Sequence, residues 1–282
     1  MLNDEYRDTY EFIPFDEERV LSQIRRRDLK ILVANDSDSV IGFVARRFEE
    51  RGEEDIYWLA SERGDRKSIE DLLVAEIEKQ AKGETVSTSL DEESLKIGEW
   101  VGRGYKLYPG WLRMSTTLDG LHKLPVFSED ISFRSLRSDE EKQLVEIINA
   151  GFGWKRLEAG ILEAWRAEDP PFTAEWVQIA EIDRRIVSAV VTKPDTEYNK
   201  YLHKTRGYLG PAATLQEFRN KHLASALTAR AMNFLAEKEF DSVRLGTSEQ
   251  NVSSTNLLRN LGFHVDGVRK ILRKNLKNLN SE

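Results

Sequence analysis

From Ile131 onward, short apolar runs alternate with stretches of helical period, and their order predicts a mixed α/β unit. Ile131 to Leu136 reads as a strand. Ser138-Asp-Glu-Glu141 reads as a helix cap with acids in the first turn of a helix running to about Asn149. A second helix is expected over Leu157 to Glu168, stopped by Pro170-Pro171. Strands follow at Trp176 to Glu181 and Arg185 to Thr192, the latter an apolar β-branched run, with Asp183-Arg184 at the turn. Gly207 to Thr214 is a further strand, joined by a basic turn to a helix that runs to about Lys238. Ser242 to Thr247 is the next strand, and Val252 to Leu261 a short helix. Phe263 to Val265 and Val268 to Arg273 are expected to close this sheet.

The first part of the chain repeats this order more faintly. Lys30 to Ala34 and Val40 to Arg47 read as a hairpin, Ile56 to Ala60 as a strand and Arg66 to Lys82 as a helix. Glu84 to Leu90, a helix from Glu92 to Val101, and Gly104-Tyr105 with Trp111 to Leu118 complete the set. Between the copies, residues 119–130 carry turn formers and no sustained period, as a linker does. The repeat rests on element order and not on matched residues.

Composition narrows the chemistry. With 282 residues there is room for two domains of ordinary size, and 40% hydrophobic with 32% charged residues fits a soluble globular protein. No run approaches the roughly 20 apolar residues that span a bilayer. The acidic stretch Met1 to Asp8 does not read as a signal peptide, so a cytoplasmic location is expected, with no membrane partner. There is no cysteine, so disulfides, thiolate metal sites and cysteine acyl-enzymes are excluded, and the four scattered histidines have no zinc spacing; no metal site is expected. Through Pro125 there are 19 Lys and Arg against 27 Asp and Glu, and 23 against 22 beyond it. Neither part has the basic excess of a nucleic-acid binder. The basic tail from Arg269 to Lys277 reads as the wet face of a final strand.

The segment Thr214-Leu-Gln-Glu-Phe-Arg-Asn-Lys-His-Leu-Ala224 joins a strand to a helix. The first N–H groups of such a helix lack partners, and with the helix dipole they suit a diphosphate. Asn251-Val-Ser-Ser-Thr-Asn-Leu-Leu-Arg-Asn-Leu-Gly-Phe263 is a short helix ending at glycine. This pair resembles the GNAT acyltransferase superfamily, whose turn reads Arg/Gln-x-x-Gly-x-Gly/Ala and whose later helix reads Asn-x-x-Ala/Ser before Leu-Gly-Phe. Arg219, Ala224, Asn251, Ser254, Leu261, Gly262 and Phe263 fall on the pattern. His222 replaces its first glycine, and Leu258 stands where many members have a tyrosine that protonates the departing thiolate.

The resemblance implies two tandem GNAT-like modules, each a mixed, mostly antiparallel sheet flanked by helices. Residues 1–118 form a degenerate module and residues 131–282 the acyltransferase, a layout similar to that of mycothiol synthase. The first module's turn, Arg63-Gly-Asp-Arg-Lys-Ser68, puts an aspartate where a diphosphate would sit. The chemistry implied is direct transfer of an acetyl group from acetyl-CoA, the co-substrate, to an amine of a small molecule or peptide. Coenzyme-binding positions carried over are Ala213, Thr214 and Leu215 on the strand edge, Arg219, Asn220, Lys221, His222, Leu223 and Ala224 in the turn, and Asn251 with Ser254. Backbone N–H groups near Ala212 to Thr214 are the expected oxyanion donors. Glu249, just past a strand end, is the best-placed general base, with a solvated loop acid as the plain alternative; Glu175, Asp195 and Glu197 are further acids. Ser254, Thr255 and Tyr208 are candidates to protonate the thiolate. The loop from Asp195 to Arg206 is polar, and its Glu197-Tyr198-Asn199 is placed to read the acceptor. Phe152 and Trp154 either line a pocket or cap the core. His222 and Leu258 also admit a second reading, a non-catalytic acyl-CoA-binding or scaffold protein.

Overall fold

The structure is a computed structural model that describes residues 1–49, 53–62, 64–125, 127 and 131–276. In chain order the elements are α1 (Leu2–Tyr6), α2 (Glu17–Arg26), β1 (Lys30–Asp36), β2 (Ser39–Glu49), β3 (Glu53–Ser61), α3 (Arg66–Gln80), β4 (Thr85–Asp91), α4 (Ile97–Gly102) and β5 (Lys106–Thr117). They continue with β6 (Ser132–Ser135), α5 (Glu141–Phe152), α6 (Ile161–Glu168), β7 (Val177–Ile182), β8 (Arg185–Pro194), α7 (Thr196–Leu202) and β9 (Arg206–Thr214). The last four are α8 (Leu223–Glu237), β10 (Ser242–Ser248), α9 (Val252–Asn260) and β11 (His264–Asn275). The chain packs as two units. The first holds Met1–Leu112, Ser248–Gln250 and the chain from Gly267; the second holds Arg113–Thr247 and Asn251–Asp266.

In the first unit the strands lie in the order β1-β2-β3-β4-β11. All neighbours are antiparallel except β3 and β4, which run parallel with α3 as their crossover. Val44, Ile56, Val74, Ile77, Val86 and Trp100 form its core, and Leu272 of β11 completes it. On the opposite face, Trp58 is covered by Tyr6, Phe15, Val20 and Ile24 from the N-terminal segment and α2. Asp16 caps α2, its carboxylate accepting from the Arg19 N–H at 2.7 Å.

β11 departs from the sequence expectation. The two strands expected at its place are one, and residues 269–275 pair antiparallel with β4 from Arg269↔Asp91 to Asn275↔Thr85. The tail that the sequence order gave to the second module thus belongs to the first unit. Strand propensity reports that a segment fits a pleated sheet, and carries nothing about which partner it takes. Lys277 lies outside the described residues.

In the second unit the order is β10-β9-β8-β7-β6. β10 and β9 are parallel, and the remaining pairs antiparallel. The apolar run of β8 is buried almost end to end because α5 and α8 pack on it, which is why it lacks the alternation of a half-wet strand. The module type expected from the sequence, a mixed and mostly antiparallel sheet with flanking helices, is present in both units. The start of the expected linker is docked: the His122 N–H donates to the Asn233 side chain at 2.7 Å, and Asn233 returns a bond to the His122 carbonyl at 2.9 Å. Ser138 does not cap α5. Glu140 stands at its N-cap position without a side-chain cap bond, its carboxylate closing the preceding turn Ser138–Glu140 by accepting from the Arg137 N–H at 2.9 Å and from Arg134 at 2.7 Å.

Candidate acyl-transfer site

The site begins where two parallel strands part. The ladder between β10 and β9 runs from Ser242↔Arg206 to Arg244↔Tyr208. β9 then continues six residues to Thr214 while pairing with β8 on its other side. A register shift between Val190 and Thr192 accommodates Gly210 and Pro211, with Gly210 at φ 135°, so the strand bulges just past the parting point. Small residues follow: Ala212 is exposed, and Ala213 and Thr214 are half-buried. Ser188 fixes this end, its hydroxyl donating to the Ala213 carbonyl at 3.1 Å and lying 2.7 Å from the Thr214 hydroxyl. Leu215 is buried, and its N–H is taken by the Val187 carbonyl at 3.0 Å.

The turn into α8 is built as the sequence pattern requires but from unusual residues. Asn220 and His222 both sit in the left-handed region, at φ 63° and 58°. His222 therefore holds a backbone conformation that glycine adopts without cost. It is the N-cap of α8, with no side-chain cap bond, and by helix geometry the N–H groups of Leu223, Ala224 and Ser225 have no intrahelical acceptor. Arg219 ties the turn down. Its Nε donates to the Thr214 carbonyl at 3.3 Å and its Nη2 to the Gly151 carbonyl at 3.1 Å, joining the ends of β9 and α5. Lys221 is exposed at the same corner, its ammonium 6.0 Å from the Phe218 ring centroid.

α9 stands over β10. Asn251 caps it, the side chain accepting from the Ser254 N–H at 3.0 Å, and the Ser254 hydroxyl lies 3.2 Å from that of Thr247. Thr255 is buried with its hydroxyl on the Asn251 carbonyl, and Leu258 is buried as well. Gly262, at φ 90°, lets the chain turn so that Phe263 returns under the helix, its N–H on the Leu258 carbonyl at 3.0 Å.

A cleft of about 290 Å³ opens at the parting point. Tyr208, Gly210 and Pro211 of β9 form one wall, Lys193 of β8 and Trp165 of α6 another, and Trp154 with Arg156 the rim. The rim is held by Asn149 of α5, which accepts from the N–H groups of Arg156 and Leu157 at 2.7 and 2.8 Å and donates to the Leu157 carbonyl at 2.9 Å. Trp154 thus lines the cleft, and Phe152 is exposed with the Arg156 guanidinium 4.5 Å above its ring. Arg156, Trp165 and Lys193 escaped the sequence reading, because an arginine in a loop, a tryptophan on a helix and a lysine at a strand end carry no motif.

Four sequence-predicted residues are placed differently. Glu249 lies with the first unit, its carboxylate bound by the Lys270 ammonium at 2.6 Å and by the Gly110 N–H at 2.5 Å. Burial alone would raise this carboxyl, but the Lys270 and Gly110 hydrogen bonds and the Lys270 charge outweigh it and hold the group below its ordinary value. A carboxylate so held is a weaker base than a free one. The segment of Glu197, Tyr198 and Asn199 is the helix α7 and not an open loop. Asn199 is committed to Arg206, donating to its carbonyl and accepting from its N–H at 2.8 Å each, and Tyr198 stacks 3.2 Å from the same guanidinium. Arg206 is buried and paired with Asp195 at 2.8 Å, a carboxylate that also takes Arg244 at 2.7 Å.

The first unit has a parting of its own, between β3 and β4. Their ladder ends at Ile56↔Thr88, and β3 runs on to Ser61. There the Leu59 N–H donates to the Tyr6 hydroxyl at 3.0 Å and the Tyr10 N–H to the Asp91 carboxylate at 3.0 Å, so the N-terminal segment bridges the two diverging strands. Where α3 begins, Arg66 pairs with Glu70 at 3.4 Å and with Glu99 at 2.5 Å. Arg63, the first residue of the expected turn, lies outside the described residues. Among the described residues no helix is long and apolar enough to cross a membrane, and no group of His, Asp and Glu is arranged to hold a metal ion.

Comparison with solved structures finds the same fold at low identity. A GCN5-related N-acetyltransferase from Sphaerobacter thermophilus superposes with TM-score 0.72 at 17% identity, covering 93% of this chain and 86% of that one. A tandem GNAT protein from the clavulanic acid biosynthesis pathway gives 0.63 at 14%, covering 88% and 83%. A GCN5-related N-acetyltransferase from Kribbella flavida gives 0.55 at 17%, covering 90% and 92%. No curated protein matches in sequence. The profile of the acetyltransferase (GNAT) family matches residues 134–263, which run from β6 to the Leu-Gly-Phe end of α9. Residues 134–263, nearly all of them within the second unit, therefore match the acetyltransferase (GNAT) family.

Proposed function

We propose that the second unit transfers an acetyl group from acetyl-CoA to an amine. The observation that carries this reading is the parting of β9 from β10 after Tyr208, with the bare start of α8 at the far end of the freed edge. A coenzyme supplies the activated thioester. The first-turn N–H groups of α8, with Lys221 beside them, suit its diphosphate, and the edge at Ala212 to Thr214 offers small side chains and backbone groups to its pantetheine arm. The amine nitrogen attacks the thioester carbonyl carbon. A C–N bond forms, the C–S bond breaks, and the sulfur leaves with the electron pair. The nitrogen loses one proton and the thiolate gains one, giving an amide and the free thiol.

We assign two hydroxyls to the thiolate. Tyr208 stands at the parting point and lines the cleft, with the Arg244 guanidinium 5.6 Å from its ring centroid. Ser254 is the second, at the start of α9 beside Thr247. Of these Tyr208 is the stronger, since it borders both the strand gap and the cleft. Such general acid assistance contributes on the order of 10²–10⁴ in rate.

A second reading, a binder of acyl-CoA without turnover, draws on the left-handed His222 in the phosphate turn and on the buried Leu258. Titration calorimetry with acetyl-CoA, followed by thiol-release assays over an amine panel, separates the two. Micromolar binding with turnover that Tyr208→Phe lowers supports the transferase. Binding without turnover on any amine supports the second reading, and absence of binding removes both.

A further inference from the structure

The ladder between β9 and β10 has only three rungs, and parallel pairing is the weaker kind per residue, so its extent depends on what else ties the two strands. Side-chain ties stand at both of its ends. At its start the Thr205 hydroxyl donates to the Asp241 carboxylate at 2.9 Å, and the Asp241 N–H to the Thr205 carbonyl at 2.9 Å. At its end stands Asp195, between β8 and α7. One carboxylate oxygen of Asp195 takes the Arg206 Nε and Nη2 of β9 at 2.9 and 2.8 Å, and forms an ion pair with the Arg244 Nε of β10 at 2.7 Å. Arg244 is the partner of Tyr208 in the last rung. The backbone of Asp195 is tied to the same strand, its N–H donating to the Arg206 carbonyl at 2.9 Å. The side chains of Arg206 and Asp195 are 6% and 11% exposed, so salt and water screen this pairing little. Two guanidinium groups brought to one point repel unless an anion lies between them.

We infer that Asp195 is a positioning residue of the coenzyme site: it holds β9 to β10 as far as Tyr208 and thereby sets where the two strands part. This rests on the transferase reading above for the use made of the freed edge, whereas the clamp itself does not. With the last rung held at Tyr208 and Arg244, and the far end of β9 fixed by Ser188, the edge between them keeps one length and one direction for the pantetheine arm. Tyr208 keeps its place in the cleft wall by the same means, with the Arg244 guanidinium 5.6 Å from its ring centroid. Asp195 acts on the site through the strands and not by touching a ligand.

The test is Asp195→Asn, which keeps the size of the side chain and removes its charge. Asp195 is the N-cap of α7 but its side chain makes no cap bond, so the change removes no cap. Hydrogen exchange on the ligand-free protein should show residues 206–208 and 242–244 losing about tenfold or more of their protection, as loss of a charge-assisted bond implies. The ladder between β7 and β8 should change by less than about threefold, since local opening is separate from global unfolding. A merely structural loss would lower both ladders alike. Calorimetry should show the Kd for acetyl-CoA rising at least about threefold, because an edge that is no longer held must be ordered on binding. Asp195→Glu, which keeps the charge, should fall between the natural chain and Asp195→Asn in both measurements. Should Asp195→Asn fail to fold, Arg244→Gln removes one arm of the clamp and leaves Arg206 on Asp195, and the same pattern is expected of it. Equal loss in both ladders, or an unchanged ladder between β9 and β10, overturns the inference, as does acetyl-CoA binding that stays unchanged while that ladder opens. If the natural chain does not bind acetyl-CoA, the transferase reading fails, and the exchange comparison still decides whether Asp195 sets the parting point.

Discussion

The phenol oxygen of Tyr6 accepts a hydrogen bond from the Leu59 N–H at 3.0 Å, three residues past the last rung joining β3 to β4. In the second unit the corresponding edge, on β9, is the one we assign to a coenzyme. The first unit has satisfied the equivalent backbone group from its own N-terminus, with Tyr10 bound to Asp91 across the same gap. Burial, only partly offset by the Leu59 bond, pushes the Tyr6 phenol up to about 12. Tyr6→Phe leaves that N–H without its acceptor and should cost about 1–3 kcal/mol in denaturant unfolding. The sign of the alkaline effect also follows. A phenol whose pKa is higher folded than unfolded contributes stability below about pH 10 and loses it as pH rises through about 12. The natural chain should therefore lose stability more steeply than Tyr6→Phe across that window, in melting curves taken at stepped pH.

How far the sequence could be read depends on how local each interaction is. The turn from Thr214 to Ala224 and the helix from Asn251 to Phe263 were legible because their signals are short-range. Asn251 caps the helix that follows it, and Gly262 supplies the left-handed residue at its end. The helices before β1 went unread, although Asp16 caps α2 in the ordinary way. The parting of β9 from β10 is invisible in sequence, since it consists of an absence of pairing between two good strands. The cleft is equally so. Trp154, Lys193 and Tyr208 meet only through the register of β8 on β9 and the loop that Asn149 holds. The partners of Glu249 are 139 and 21 residues away, which no local pattern encodes.

Glu249 gives a direct test of that last point. Its carboxylate ties Gly110 and Lys270 together, and Lys270 also holds Glu92 at 3.0 Å. Because its pKa is lowered in the folded state, the group contributes stability above the ordinary carboxylate range and loses it as pH falls through its folded value. Glu249→Gln should flatten the acid limb of a stability profile and lower stability at neutral pH by about 1–3 kcal/mol. Acyl transfer by the second unit should keep its rate within about threefold, against the 10²–10⁴ that loss of a general base would cost. A pH–rate profile that loses its acidic limb in the variant would return Glu249 to the chemistry.

Gly151 is a packing test of the same site. A Cβ built there would lie 2.5 Å from the Ala213 Cβ, so α5 approaches β9 as closely as it does only because this residue has no side chain. Elsewhere in a helix, glycine to alanine gains about 1 kcal/mol. Here overpacking reverses the sign, and Gly151→Ala should cost about 1–3 kcal/mol in unfolding experiments. It also pushes the strand edge that ends at Thr214 and the carbonyl that Arg219 holds, so acetyl-CoA affinity should fall with stability. Ala213→Gly in the same chain removes the clashing methyl and should recover part of both losses.

His222 supplies the opposite case, a side chain where the backbone asks for none. At φ 58° it occupies the left-handed region at the first turn of α8, whose N–H groups we assign to the diphosphate. A left-handed non-glycine residue costs about 1–2 kcal/mol, and glycine's greater freedom in the unfolded chain returns part of that. His222→Gly should therefore change stability by less than about 1 kcal/mol in either direction. Its effect on acetyl-CoA is expected to be larger, since it clears the approach to three backbone donors without altering them. Calorimetry should show affinity raised several-fold in His222→Gly and unchanged in a control substitution of the exposed His203, which also has a positive φ but lies at the end of α7. If His222→Gly instead weakens binding, the imidazole itself contacts the coenzyme, and the histidine is a ligand in its own right where the superfamily pattern has glycine.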